Sequence, residues 1–343
     1  MPYLLTRVRQ PVRLLPLLVL ALLLSDASMA NTMHKYVSQH APIGVMGDHM
    51  HKQGEWMFSY RHMTMTMEDN VQGRDRISKK DVFDSGYMVT PLEMKTTMDM
   101  LGVMYAPSDQ LTLMLMVSYL NKDMDLAMKS NGTVFSTNSS GWSDTKISAL
   151  ISLFESQDTQ FHLNLGLSLP TGSITQSDNL PNMGNKRLAY PMQLGSGTYD
   201  LEPGITYNGK SDHSKWGSQI KGVFRLDDNN HGYTLGNQLF ISSWASYRIN
   251  NWLATGVRLT FTDSEKIDGQ DDKINTLMLP SAKAKNFGGE RLDFSVSMTL
   301  LGNKPEQSGH QIGIEYTTTI DQDANGIQME MQDMLTIGYQ FTL

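Results

Sequence analysis

The sequence predicts an all-β fold: a transmembrane antiparallel β-barrel of about 12 strands, preceded by a cleaved signal peptide. Three observations predict it. The chain opens on an export leader, its later segments alternate apolar and polar residues with a period of two, and their connections are short and long in turn.

The leader comes first. Arg7, Arg9 and Arg13 make a basic start, LLPLLVLALLL (14–24) an apolar run, and SMA (28–30) a small-residue cleavage site. The run is shorter than the about 20 apolar residues a helix needs to span a bilayer. Residues 1–30 therefore read as a signal peptide rather than an anchor. The chain has no cysteine, which excludes a disulfide framework and a lipidated cysteine after the cut. A mean hydropathy of -0.32 and a formal charge of -7 exclude a helical membrane protein and argue against a nucleic-acid partner.

Alternation then marks the strands. In QFHLNLGLSLP (160–170), Phe161, Leu163, Leu165, Leu167 and Leu169 share one face, and His162, Asn164, Gly166 and Ser168 the other. WLATGVRLTF (252–261), RLDFSVSMTL (291–300) and HQIGIEYTTTI (310–320) repeat the pattern. Strands are expected near 56–67, 93–105, 111–124, 143–154, 160–170, 198–208, 214–226, 237–249, 252–265, 290–302, 310–320 and 330–343. Each is about ten residues, the length a tilted strand needs to cross a membrane. Short links (107–110, 156–159, 250–251) alternate with long polar loops (68–92, 125–142, 171–197, 266–289), as in outer-membrane barrels.

A soluble β-sandwich also alternates, but its core would not tolerate Arg258, Asp293 and Glu315 in mid-strand. The final strand, TIGYQFTL, carries a further signal. Thr336, Gly338, Phe341 and Leu343 follow the polar–x–Gly–x–x–apolar–x–apolar pattern of outer-membrane C-terminal strands, the signal read by the barrel-assembly machinery, with Leu in place of the usual last aromatic. Residues 31–55 precede the first strand, as a periplasmic segment or a partial plug of the 56–343 barrel.

APIGVMGDHMHKQGEWMFSYR (41–61), LSLPTGSI (167–174) and YPMQLGSGTYDLEPGITY (190–207) resemble a bacterial outer-membrane transporter family grouped with the meta-cleavage pathway of phenol degradation. The resemblance runs from about Ala41 to the C-terminus. It implies an outer-membrane barrel and passage of small molecules. It carries no catalytic or binding residues.

Fifteen of the 25 methionines fall between Met46 and Met128, so their direction matters. Met63, Met65 and Met67 share parity with Ser59 and Arg61, opposite Trp56, Phe58 and Tyr60. An arginine facing lipid at the midplane costs about 2–4 kcal/mol, so this face is expected to line the lumen. Met114 and Met116 sit opposite Leu111, Leu113, Leu115 and Val117, again inward. Two roles compete. Thioethers and imidazoles are soft or borderline ligands suited to copper, which makes His49, Met50, His51, His62, Met63, Met65, Met67, Met114 and Met116 a candidate metal set. Methionine is also a flexible apolar filler, and the row then makes a greasy wall for an apolar solute; compositional drift with no specific role is the third reading.

Arg61, Lys146, Asp200, Glu202, Arg258, Arg291, Asp293 and Glu315 are the charges expected along the lumen and its solute path. Zinc-site spacing, phosphate loops and the dinucleotide fingerprint are absent. The expected function is an outer-membrane channel or transporter for a small, apolar or aromatic solute, in contact with outer-membrane lipid and needing no cofactor. Copper or silver handling is the alternative. A barrel-borne lipid or ester hydrolase is the second, weakened because His162 and Ser168 stand too far apart on one strand to touch.

Overall fold

The computed structural model describes residues 41–181, 183–302 and 309–343. The expected leader (1–30) and the start of the 31–55 segment lie outside them. In chain order the elements are β1 (Trp56–Gly73), β2 (Asp75–Ile77), a short helix α1 (Lys79–Asp84), β3 (Val89–Ser108), β4 (Leu111–Met128) and β5 (Val134–Trp142). β6 (Thr145–Glu155), β7 (Thr159–Leu169), β8 (Ser177–Leu180), β9 (Gly184–Arg187), β10 (Asp200–Lys210) and β11 (Ser214–Arg225) follow. The rest are β12 (Tyr233–Thr234), β13 (Gln238–Arg248), β14 (Leu253–Ser264), β15 (Asp268–Gly269), β16 (Gly289–Leu301) and β17 (His310–Thr342).

Eleven of these segments close into an antiparallel ring in the order β1, β3, β4, β6, β7, β10, β11, β13, β14, β16, β17 and back to β1, while β2 and β5 pair outside it. An all-antiparallel ring needs an even number of passes, and β17 supplies the missing one. Its first half, to Ala324, runs beside β16, and its second half, to Thr342, runs back beside β1. Gln322 Nε2 donates to Met329 O (3.2 Å) and Thr318 Oγ1 to Gln332 O (3.2 Å) across the fold-back. Ten segments pass the wall once and β17 twice, giving twelve passes.

The outer surface explains why the ring is stable as built. Phe58, Leu113, Leu115, Leu165, Ile205, Val257 and Val296 are all exposed, and they form an apolar belt far larger than a soluble monomer leaves bare. Trp56 stacks on Tyr105 (4.4 Å) at the short-turn rim, and Tyr119 meets Trp142 edge-on (5.5 Å) toward the other. An apolar band between aromatic rims is the surface of an outer-membrane barrel. Among the described residues no helix is long and apolar enough to cross a membrane; the crossing is made by strands.

β1, β3 and β4 run beyond their expected ends, and β5 occupies much of the expected 125–142 loop. The reason is physical. Beyond Tyr60 the outward face of β1 turns to His62, Thr64, Thr66 and Glu68, so the ladder continues where the outer face is wet and alternation vanishes. The long loops then fold inward. Leu188, Met192, Met94 and Met124 form one buried cluster, and Tyr190, Tyr233, Ile274 and Ala282 another.

Candidate functional site

The lumen is built from its floor upward. Residues 41–51, ahead of β1, lie inside the ring, buried almost throughout. A turn closed by the Val45 N–H on Pro42 O (2.9 Å) starts the segment, and Ala41 and Val45 pack on Trp244 of β13. Arg61 Nε donates to Ile43 O (3.0 Å) and Gly44 N–H to Glu315 Oε2 (3.0 Å). Gln219 Nε2 donates to Met46 O (3.1 Å), His162 Nε2 meets Gly47 O (2.9 Å), and Asn208 Nδ2 donates to Asp48 O. Polar side chains of β1, β7, β10, β11 and β17 thus satisfy backbone groups that have no sheet partner, as buried backbone requires. Two glycines make the fit possible. A Cβ on Gly44 would lie 2.5 Å from Glu315 Oε1, and one on Gly338 2.8 Å from Ile43 Cγ1.

At the segment's end His49 Nδ1 contacts Asp48 Oδ1 (2.7 Å), His51 N–H donates to Thr112 Oγ1 (3.1 Å), and the two rings meet edge-on at 4.8 Å. Burial lowers the His51 pKa to about 4, with His49 adding to the effect and Glu55 opposing it.

Register gathers the methionines. Along β1, Met57, Met63 and Met67 stand opposite Met104, Met98 and Met94 of β3; on the other side Met65 faces Met334 and Met67 faces Met331 of β17. Met104 and Met94 in turn face Met114 and Met124 of β4. Four adjacent passes therefore share one thioether wall on the inner face.

The opposite wall is ionic. Glu202 is shared by Lys146 (2.6 Å) and Lys221 (2.5 Å), Asp200 pairs with Arg225, Glu315 with Arg258, and Arg291 with Asp293 (3.0 Å). Buried carboxylates at this density need such partners.

Toward the long-loop end a cavity of about 350 Å³ remains. Met67, Met94, Met124, Met329 and Met331 are among its lining, with Arg225, Arg291, Gln322 and Gln328, and Tyr190 and Phe287 lie among its walls. The covering loops are tied to the barrel. Lys122 Nζ donates to Pro191 O (2.7 Å) and Gln193 O (2.6 Å). Asp144 accepts from Gly172 N–H (2.9 Å) and Ser196 N–H (2.7 Å), while burial raises its pKa.

Arg61, Lys146, Asp200, Glu202, Arg258, Arg291, Asp293 and Glu315 stand on the inner wall. Met63, Met65, Met67, Met114 and Met116 share that wall, and His49, Met50 and His51 belong to the segment at its floor. His62 stands apart from them. It lies on the outward face of β1, where its Nδ1 and the Tyr60 hydroxyl share Asp99 Oδ1 (2.8 and 2.6 Å). Among the described residues no three His, Cys, Asp or Glu side chains converge as a metal set. Thr336 and Gly338 face inward, and Leu343 exchanges backbone hydrogen bonds with Trp56, zipping the last strand to the first (2.8 and 3.2 Å). Lys122, Lys221 and Arg225 also belong to the lumen, although the sequence pattern did not single them out. Parity with Met124 would have found Lys122; the two β11 cations share parity with Gln219.

Solved structures show the same architecture. An outer membrane channel of Pseudomonas putida F1 superposes at a TM-score of 0.60 with 12% identity, over 88% of this chain and 100% of that one. The transport unit of the autotransporter AIDA-I from Escherichia coli reaches 0.50 with 9% identity, over 87% and 93% of the two chains. Identities this low establish the fold alone. No curated protein matches the sequence. The sequence itself decides the family: a match over residues 81–288 shows that the chain belongs to the family described as "Putative MetA-pathway of phenol degradation".

Proposed function

We propose that the protein is a channel of the bacterial outer membrane that passes a small, apolar or aromatic solute. The observation that carries this reading is the cavity beneath the outer loops, whose methionine lining continues down β1 and β3 toward the floor. About 350 Å³ falls within the range of small-molecule sites. Thioethers give such a solute an adaptable apolar face with favourable sulfur–aromatic contacts, and the opposite ionic wall keeps a hydrated path. Residues 41–51 act as a plug at the periplasmic end. The last strand, through Thr336, Gly338, Phe341 and Leu343, is the element the assembly machinery reads.

The test is flux. Reconstituted in liposomes, the full barrel should admit a small neutral aromatic solute in preference to a sugar of equal mass, and deletion of residues 41–50 should raise conductance for both. Equal and negligible flux before and after the deletion would remove the channel reading.

A second reading is favoured by the same register. A wall of thioethers on four adjacent passes offers soft donors along the lumen, so copper or silver is the alternative cargo.

A further inference from the structure

We propose that the floor of the lumen holds one soft monovalent metal ion, Cu(I) or Ag(I), in a thioether site formed by Met46, Met57, Met104, Met114 and Met116. The site rests on the soft-ion reading and gives it a place. A void of about 10 Å³, room for one small sphere, is lined by these five methionines together with Asp48, His49, Ser59, Arg61 and Gln340. The methionines come from four pieces of chain. Met57, Met104 and Met114 are lateral neighbours across β1, β3 and β4, Met116 is one step further along β4, and Met46 closes the void from the 41–51 segment.

Gly102 lets Ser59 and Met116 approach at this point in the wall. It pairs with Met116, and a Cβ there would come within 2.6 Å of Ser59 Oγ. Methionines acting only as filler pack to the density of an organic crystal. Here Met57, Met104 and Met114 pack with Leu150 and Met50, and room for one small sphere remains beside them.

Charge selects the class of ion. Asp48 and Arg61 also line the void with opposite charges, so the surroundings are close to neutral. A hard or borderline divalent ion would need several carboxylates or imidazoles, and no such trio converges among the described residues. Neutral thioethers suit a soft monovalent ion, whose single charge needs less compensation. His49 lines the same space, with its Nδ1 on Asp48. The thioethers alone supply the donor set.

The experiment uses the full chain folded in detergent, with the folded barrel verified by its heat-dependent gel mobility. Each protein is equilibrated with silver nitrate in chloride-free buffer and desalted, and its bound silver is measured by mass spectrometry. Wild type should retain one silver ion per chain. Met57→Leu/Met104→Leu keeps the apolar volume and should weaken retention by about tenfold or more. Met298→Leu, on the outward face of β16, is the control and should retain silver as wild type does. Met63→Leu/Met65→Leu/Met67→Leu, higher on the wall the soft-ion reading uses, separates retention at the floor from retention along the wall. Loss in the wall variant alone would overturn the floor site and leave the soft-ion reading standing. No retention by wild type would overturn both, and full retention by the floor variant would overturn the site.

Discussion

Glu315, wholly buried on β17, accepts the backbone N–H of Gly44 at 3.0 Å through Oε2 and binds the Arg258 guanidinium through Oε1. One carboxylate therefore joins two strands of the wall to the segment inside it. The segment has no sheet partner of its own here, so its position depends on side chains of this kind.

Glu315→Gln should loosen both ties. The amide can still meet Gly44, but Arg258 is left as a buried cation without a counter-charge, a loss of about 3–5 kcal/mol for a broken buried pair. The temperature at which the barrel loses its heat-dependent gel mobility should fall. Arg258→Met added to Glu315→Gln should recover most of that loss, because the uncompensated charge is gone. A double variant as unstable as the single would show that the pair contributes nothing beyond its hydrogen bonds.

Docking of the same segment should depend on pH through His51. Burial holds its pKa near 4, against 6.5 for an exposed imidazole, so the docked segment prefers the neutral ring. Above pH 6.5 both states are neutral and docking is at full strength. As pH falls from 6.5 to 4 only the released segment takes up the proton, and docking weakens by about 1.4 kcal/mol per pH unit. Glu55, His49 and Asp48 face the ring and set the size of the effect. Conductance in planar bilayers should rise across this window, and His51→Gln should flatten the rise. An equal rise in the variant would place the sensing group elsewhere.

The strand pattern was legible because lipid imposes one-sided apolarity. Leu113, Leu115 and Val117 read as a strand face from their spacing alone. Where the strands leave the bilayer that rule lapses, so the extension of β1 past Met67 and the whole of β5 were invisible. Parity also ordered the lumen: Arg61 and Glu315 stand inside because lipid would not accept them. Which charges pair was not legible. Glu202 of β10 meets Lys146 of β6, two strands away, and Lys221 of the adjacent β11, and only the register brings them together. The docking of Ile43 against Gly313 and Gly338 was likewise hidden, because a glycine in a strand does not announce what approaches it.

Lys122→Met should free the outer loop. Its ammonium holds the carbonyls of Pro191 and Gln193, while methionine fits the neighbouring thioether wall without donating. Limited proteolysis of reconstituted protein should then cut within 188–196 faster than in wild type, with barrel stability little changed. Cleavage at the wild-type rate would show that Asp144 and the buried Tyr190 cluster hold the loop unaided.

Met67 tests the solute path itself. It is half-buried, faces the outer cavity, and stands between Met94 and Met331 in the ladder. Met67→Leu preserves an apolar surface of similar volume, a swap cores tolerate at under about 1.5 kcal/mol, so flux of a small neutral aromatic should stay near wild type. Met67→Trp would project a rigid ring into the cavity, and flux should fall by roughly tenfold while the barrel remains folded, equivalent to about 1.4 kcal/mol on the barrier to passage. If Met67→Trp passes the solute as fast as wild type, the path does not run through the cavity. If Met67→Leu is as slow as Met67→Trp, the sulfur rather than the volume governs passage, and the soft-ion reading gains over the apolar one.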